Sequence, residues 1–178
     1  MDPGARLEKI KAMNAEEQER LIGEIEETAD TNAQKYRGCS QWALYALQQH
    51  LNIWNVDVFR AATGFAGGVG GSGELCGALS GGLIAIGLVY GRDTLEPIDT
   101  SKAFADSMER CAQLCDRFKE EFGGLNCRDV QKLLFGRSWD MRNAEEKEDF
   151  LNREDVNKCS NIVIKKVAGL TAKIIFQP

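Results

Sequence analysis

Six cysteines give the chain its main capacity for chemistry. Four of them, Cys39, Cys76, Cys127 and Cys159, are widely spaced, and each falls where a helix is predicted to begin. Backbone N–H groups in the first turn of a helix lack partners and carry partial positive charge, so they favour a thiolate that acts as a nucleophile or metal ligand. The same setting suits the anionic assembly that four thiolates form with iron and sulfide.

Cys111 and Cys115 lie in a different setting. They are one turn apart on the apolar stripe of a helix predicted over about residues 104–122. A buried free cysteine behaves as a small hydrophobic residue, so core packing is the favoured interpretation and a ligand or resolving-thiol role is the less favoured one. His50 is the one histidine and is interpreted as structural.

Glycines surround Cys76 on both sides. A glycine-rich connector covers residues 64–73, and the apolar run over residues 75–90 contains four more glycines. This run is shorter than the roughly 20 residues that a bilayer requires, so it predicts a buried helix. One of its faces carries almost no side chain, because small residues recur at three- and four-residue spacing: Ala78, Gly81, Gly82 and Ala85. Another helix could pack closely there, either within the chain or across a homodimer.

Composition excludes several classes of function. The net charge is −5, with basic and acidic residues interspersed, so nucleic acid is an unfavourable partner. The N-terminus shows no secretory signal, which predicts a cytoplasmic protein, and no run suggests an integral membrane protein. Six cysteines in a reducing compartment indicate metal ligation or redox chemistry more than structural disulfides.

Helical periodicity dominates the elements that must position these residues. We predict an all-α fold, a single compact bundle-like domain over residues 1–178 with six to seven helices and a central glycine-rich helix. The N-terminal helix is predicted over about residues 15–36, and Asn14, Asn55 and Asn126 are predicted helix caps. Residues 68–73 fit G-x-G-x-x-G, but no strand precedes them, so we predict no dinucleotide site.

The order of these motifs resembles that of a known family. Cys39, the Gly64 to Gly68 segment, Cys76-Gly77-Ala78-x-x-Gly81, Cys127 and Cys159 follow the C, GCAxxG, C, C pattern of a family of redox-active proteins, over roughly residues 36–170. The resemblance implies a redox role for the four cysteines. A related module in the split-Soret cytochromes accompanies an iron–sulfur centre, which implies Cys39, Cys76, Cys127 and Cys159 as cluster ligands. The chain lacks Cys-x-x-Cys-His, so covalent haem is not predicted.

Three functions remain open at the level of sequence. The favoured one is electron transfer to a partner protein through a [2Fe-2S] or [4Fe-4S] cluster, with backbone N–H groups near Gly73, Gly77 and Gly81 donating to the cluster sulfurs. The second is a metal-free thiol–disulfide protein or sensor with Cys76 as the reactive thiolate. The third is a zinc-stabilised interaction module, although structural zinc sites usually contain a C-x-x-C pair that is absent here.

Overall fold

A computed structural model describes residues 8–97 and 101–177, and these residues form helices with no strand. The α-helices are α1 (Ala15–Lys35), α2 (Cys39–Leu51), α3 (Val56–Ala61), α4 (Gly77–Tyr90), α5 (Lys102–Phe122), α6 (Cys127–Phe135), α7 (Ala144–Leu151) and α8 (Lys165–Phe176). A helical turn at residues 8–11, a 3-10 helix at Ala62–Phe65 and a π-helix at Cys159–Ile164 complete the elements. The all-α prediction is confirmed in this part of the chain. The helices outnumber the six or seven expected, because the connecting segments contain short helices of their own.

The predicted caps account for where three of these helices begin. The Asn14 side chain accepts the Glu17 N–H at 3.0 Å, and the Glu17 carboxylate accepts the Asn14 N–H at 3.0 Å. Asn126 and Asp129 form the same reciprocal pair at α6, and Asn55 caps α3. Each reciprocal pair satisfies two N–H groups that the helix itself leaves unpaired.

The glycine-rich helix α4 packs against α2, α5 and α8 through its small-residue face. A methyl group at Gly81 would overlap the Ser40 carbonyl oxygen of α2, and one at Gly82 would overlap Thr171 of α8. The small-residue face is therefore covered within the chain. Because α2 crosses the first turns of α4, its N-terminus lies beside Cys76.

Large aliphatic and aromatic side chains from most of the helices fill a compact core. The largest fully buried side chains include Phe118, Leu44, Leu79, Ile86 and Ile174. Burial of such a side chain contributes about 1.5–3 kcal/mol. Within residues 8–97 and 101–177, no helix combines the length and apolar character that crossing a bilayer requires.

The connector before α4 is a loop of left-handed backbone. Five of its glycines have positive φ, namely Gly67, Gly68, Gly70, Gly71 and Gly73. Their backbone groups are joined across the loop, for example by the Gly70 N–H to the Gly64 carbonyl at 2.8 Å. Gly68 is the tightest position, because a Cβ there would lie 2.6 Å from the Glu74 carbonyl oxygen. Glycine is therefore required at position 68, where the two ends of the loop pack against each other.

Val69 interrupts this run with a φ of +60° in a β-branched residue, which is a strained conformation. We expect Val69→Gly to raise the free energy of unfolding by about 0.5–1 kcal/mol, since relief of strain exceeds the added entropy of the unfolded chain. Val56→Gly is the matched control, because Val56 is 45% exposed against 44% for Val69 but has a helical backbone. It should lower stability by a similar amount. Urea unfolding measures the free energy of unfolding of both variants. Equal losses of stability in the two would contradict strain at Val69.

Candidate metal centre

Cys39, Cys76, Cys127 and Cys159 all line one cavity of about 200 Å³, here called the cysteine cavity. Cys76 is only 5% exposed, and the other three are partly buried. Their separation in sequence reaches 120 positions, from Cys39 to Cys159. The fold thus brings the four predicted ligands to the same place.

Each of these cysteines begins a helical segment, as predicted. Cys39 is the first residue of α2, Cys76 is the N-cap of α4, and Cys127 is the first residue of α6. Cys159 is the first residue of the π-helix that leads into α8. Four helical segments therefore start around one cavity.

A short antiparallel bridge joins the segments that carry Cys76 and Cys127. It pairs Leu75 with Asn126. The Cys76 N–H donates to the Leu125 carbonyl at 2.9 Å, and the Cys127 N–H donates to the Glu74 carbonyl at 2.7 Å. These two bonds set the spacing of the two cysteines through backbone alone. No local sequence pattern predicts this bridge.

Gly77 brings the Cys39 sulfur close to α4. A Cβ at Gly77 would overlap the Cys39 Sγ, so only glycine allows this approach. Backbone N–H groups of Gly67 and Gly77 donate to the Cys39 sulfur, in the manner expected of N–H groups that tune a thiolate-bound centre. None of the three glycines predicted to donate lines the cavity, and Gly77 is the one whose N–H reaches a cysteine sulfur. Gly81 faces the backbone of α2, and the Gly73 carbonyl accepts the Arg128 N–H at 3.0 Å.

Burial controls the ionisation of the free thiols. Loss of hydration raises the pKa of Cys76 and of Cys159 to about 12, and neighbouring cysteines contribute to the rise in both. Loss of hydration is also the main cause that raises the pKa values of Cys39 and Cys127. Backbone N–H groups at the helix starts lower the pKa of Cys39 and Cys76, as expected, but desolvation outweighs them in the metal-free chain.

The rest of the wall is mostly apolar. Val130, Met141, Phe150, Val163 and Ile164 contribute to it. Gln131 is a buried exception whose Nε2 lies 3.7 Å from the Cys127 sulfur and whose Oε1 accepts the Trp139 N–H at 2.8 Å. Sequence reasoning missed Gln131, although a glutamine beside Val130 on an otherwise amphipathic helix was a usable signal.

The remaining candidates lie outside the cavity wall. Cys111 and Cys115 are partly buried on α5 and pack against the core, as the core interpretation predicted. Burial raises the pKa of both thiols. His50 Nε2 lies 2.9 Å from the Thr28 hydroxyl, which supports a structural role.

Among the residues that the structure describes, no group of three or more His, Cys, Asp or Glu side chains is arranged to hold a single metal ion. A tetrahedral zinc site requires all its sulfurs at about 2.3 Å from one centre.

Comparison with known proteins places the chain in a family. Residues 38–174 match the model of the family described as "Putative redox-active protein (C_GCAxxG_C_C)". A curated uncharacterized protein of Archaeoglobus fulgidus is 32% identical over 139 residues, which cover 74% of this chain and 80% of that protein. No solved structure matches the chain significantly. The chain belongs to the C_GCAxxG_C_C family of redox-active proteins.

Proposed function

We propose that the protein transfers electrons through an iron–sulfur cluster held in the cysteine cavity by Cys39, Cys76, Cys127 and Cys159. One observation carries the proposal: four thiols from four helical starts line a single cavity of about 200 Å³. Four cysteine ligands are the usual donor set of both [2Fe-2S] and [4Fe-4S] clusters. When bound, such a cluster supplies one-electron transfer to a partner protein.

Metal binding has to ionise the buried thiols of the cavity. Burial keeps Cys76 and Cys159 protonated at neutral pH, since their pKa values are about 12. Metal binding must release these protons, so the free energy of binding is what ionises the site. Neutral thiols can be buried at little cost. They become anionic ligands only when metal binds.

Residues that touch the sulfurs would adjust the reduction potential. The Gly67 and Gly77 N–H groups donate to Cys39, and the Gln131 amide approaches Cys127. Hydrogen bonds to a ligand sulfur offset its negative charge and so favour the reduced state. Phe150, Val163 and Ile164 keep the cavity wall apolar, which limits access of water.

The two alternatives are less well supported. Structural zinc sites usually contain a C-x-x-C pair, which this chain lacks. A reactive Cys76 requires a lowered pKa, whereas burial raises it. Because all six cysteines are free thiols, we also infer a reducing compartment such as the cytoplasm.

Serine substitution tests the ligand assignment. Anaerobic reconstitution of the full chain with ferrous iron and sulfide should give visible absorption that dithionite bleaches. Each of Cys39→Ser, Cys76→Ser, Cys127→Ser and Cys159→Ser should reduce bound iron and sulfide at least tenfold. Cys111→Ser and Cys115→Ser are the matched controls and should bind as the unaltered chain does.

Two results would contradict the proposal. One is a colourless protein after reconstitution, with or without stoichiometric zinc. The other is cluster assembly that survives loss of any two of the four cavity cysteines. Circular dichroism of each variant tests whether the fold persists. A variant that loses iron but keeps the native spectrum has lost the metal and not its structure.

A further inference from the structure

The cysteine cavity reaches the protein surface. Cys39, Cys127 and Cys159 are partly exposed, and Arg37 and Asn157 are exposed residues of the same lining. These five residues are here called the cavity mouth. Because the rate of electron transfer falls steeply with the distance between two redox centres, a partner protein should approach the cysteines at this surface.

Arg37 gives the cavity mouth a positive charge. It is the only charged residue among the described residues that line the cysteine cavity. It makes no ion pair with another described residue, and neither does Lys35 in the last turn of α1. An exposed guanidinium without a carboxylate partner is available to the carboxylates of another molecule.

The segment that carries Arg37 is free of negative charge. Residues 31–56 contain no Asp or Glu, although the whole chain has 27 acidic residues and a net charge of −5. Tyr36, between Lys35 and Arg37, is 64% exposed. Tyrosine and arginine are enriched among the residues that dominate the binding energy of interfaces. This edge of the mouth is therefore basic, on a protein that is acidic as a whole.

We propose that the cavity mouth is the docking surface for an acidic one-electron carrier protein. The basic edge attracts the carboxylates of such a partner while the acidic remainder of the chain repels them, which orients the approach. Docking does not require metal, whereas electron exchange at this surface rests on the proposed function. In that exchange the reduced carrier loses one electron and the thiolate-bound iron gains it, with no bond or proton transferred.

Titration of the metal-free full chain with a plant-type ferredoxin, an acidic one-electron carrier, tests the docking surface at low ionic strength. Arg37→Gln should weaken binding about threefold, the effect of one exposed charge pair, and Arg37→Lys should restore most of it. Arg20→Gln is the matched control and should leave the Kd unchanged. The Arg20 side chain is 77% exposed, and it lies about 25 Å from Arg37 along the axis of α1.

Three results of this titration would overturn the proposal. The first is absence of ferredoxin binding, and the second is equal weakening in Arg37→Gln and Arg20→Gln. The third is an affinity that rises with added salt, because it would show that the net charge of −5 repels the carrier. Arg37→Gln should keep the melting temperature of the unaltered chain, since Arg37 is exposed and unpaired among the described residues.

Two small oxidants of opposite charge test electron exchange at the mouth. Cluster-loaded protein, reduced and freed of excess reductant, is mixed with ferricyanide, a trianion, or with tris(phenanthroline)cobalt(III), a trication. At about 0.1 M ionic strength, Arg37→Gln should slow the first reaction and speed the second by about threefold each, as expected for one charge about 8 Å from the oxidant. A changed reduction potential would instead move both rates in the same direction, and Arg20→Gln should move neither.

The two experiments separate the docking surface from the proposed function. Unchanged rates with both oxidants in Arg37→Gln would overturn electron exchange at the mouth. Ferredoxin binding without cluster assembly would leave the docking surface standing and reject the proposed function instead.

Discussion

Replacement of Gly77 by alanine is expected to lower bound iron at least tenfold and to destabilise the protein by about 1–3 kcal/mol. A Cβ at this position would overlap the Cys39 sulfur and would lie 3.0 Å from the Phe65 carbonyl oxygen. The sulfur cannot remain where it is, and it loses the Gly77 N–H donor when it moves. Iron and sulfide analysis after reconstitution, together with urea unfolding, measures both effects.

Gly87→Ala is the matched control for this substitution. Gly87 lies on the same helix and is exposed, and a methyl group there would have no neighbouring atom within 4 Å. Its replacement should leave iron binding unchanged and raise stability by up to about 1 kcal/mol, the difference in helix propensity. Full cluster assembly in Gly77→Ala would contradict the close approach of Cys39 to α4.

Gly81→Ala separates packing from the site. A methyl group at Gly81 would overlap the Ser40 carbonyl and so force α2 away from α4, but it would touch none of the four sulfurs. We expect it to destabilise the protein to a similar extent as Gly77→Ala while the protein that remains folded still binds iron. Equal loss of iron in both variants would show that helix spacing, and not the sulfur contact, controls the site.

Cys76 and Cys159 of the metal-free protein should react with iodoacetamide about a thousandfold more slowly at pH 8 than free cysteine does. The thiolate is the reacting form, and burial raises the pKa of Cys76 and Cys159 from 9.0 to about 12. Three pKa units correspond to roughly a thousandfold less thiolate below both values. The rates should rise with pH up to about 12, and mass spectrometry of labelled peptides measures them residue by residue.

Unfolding in urea provides the internal control, because all six thiols should then react at the rate of free cysteine. The raised pKa values also imply that the metal-free fold has its full thiol-linked stability below about pH 9 and loses it as the pH rises towards 12, since the folded state resists ionisation. Rapid alkylation of native Cys76 at neutral pH would instead support the thiol–disulfide alternative.

Local features were predictable because they depend on residues a few positions apart. Asn14 and Asn126 begin their helices through bonds to residues three positions on, so their caps are readable in the sequence. Cys127 begins α6 through the Asn126 cap, whereas the helical segments at Cys39, Cys76 and Cys159 begin without a side-chain cap. Small residues at helical spacing predicted a close approach of another helix at Gly77 and Gly81, but they did not identify that helix.

What the sequence determined by itself is the helical character of the chain, the glycine-rich face of α4 and the four cysteines near helical starts, since short-range hydrogen bonds and side-chain size control them. Only the tertiary structure decided that the Leu75–Asn126 bridge joins the segments of Cys76 and Cys127, that burial outweighs the backbone N–H groups at Cys76, and that Gln131 lies beside the Cys127 sulfur. These features depend on contacts between distant segments and on exclusion of water, which are properties of the packed chain.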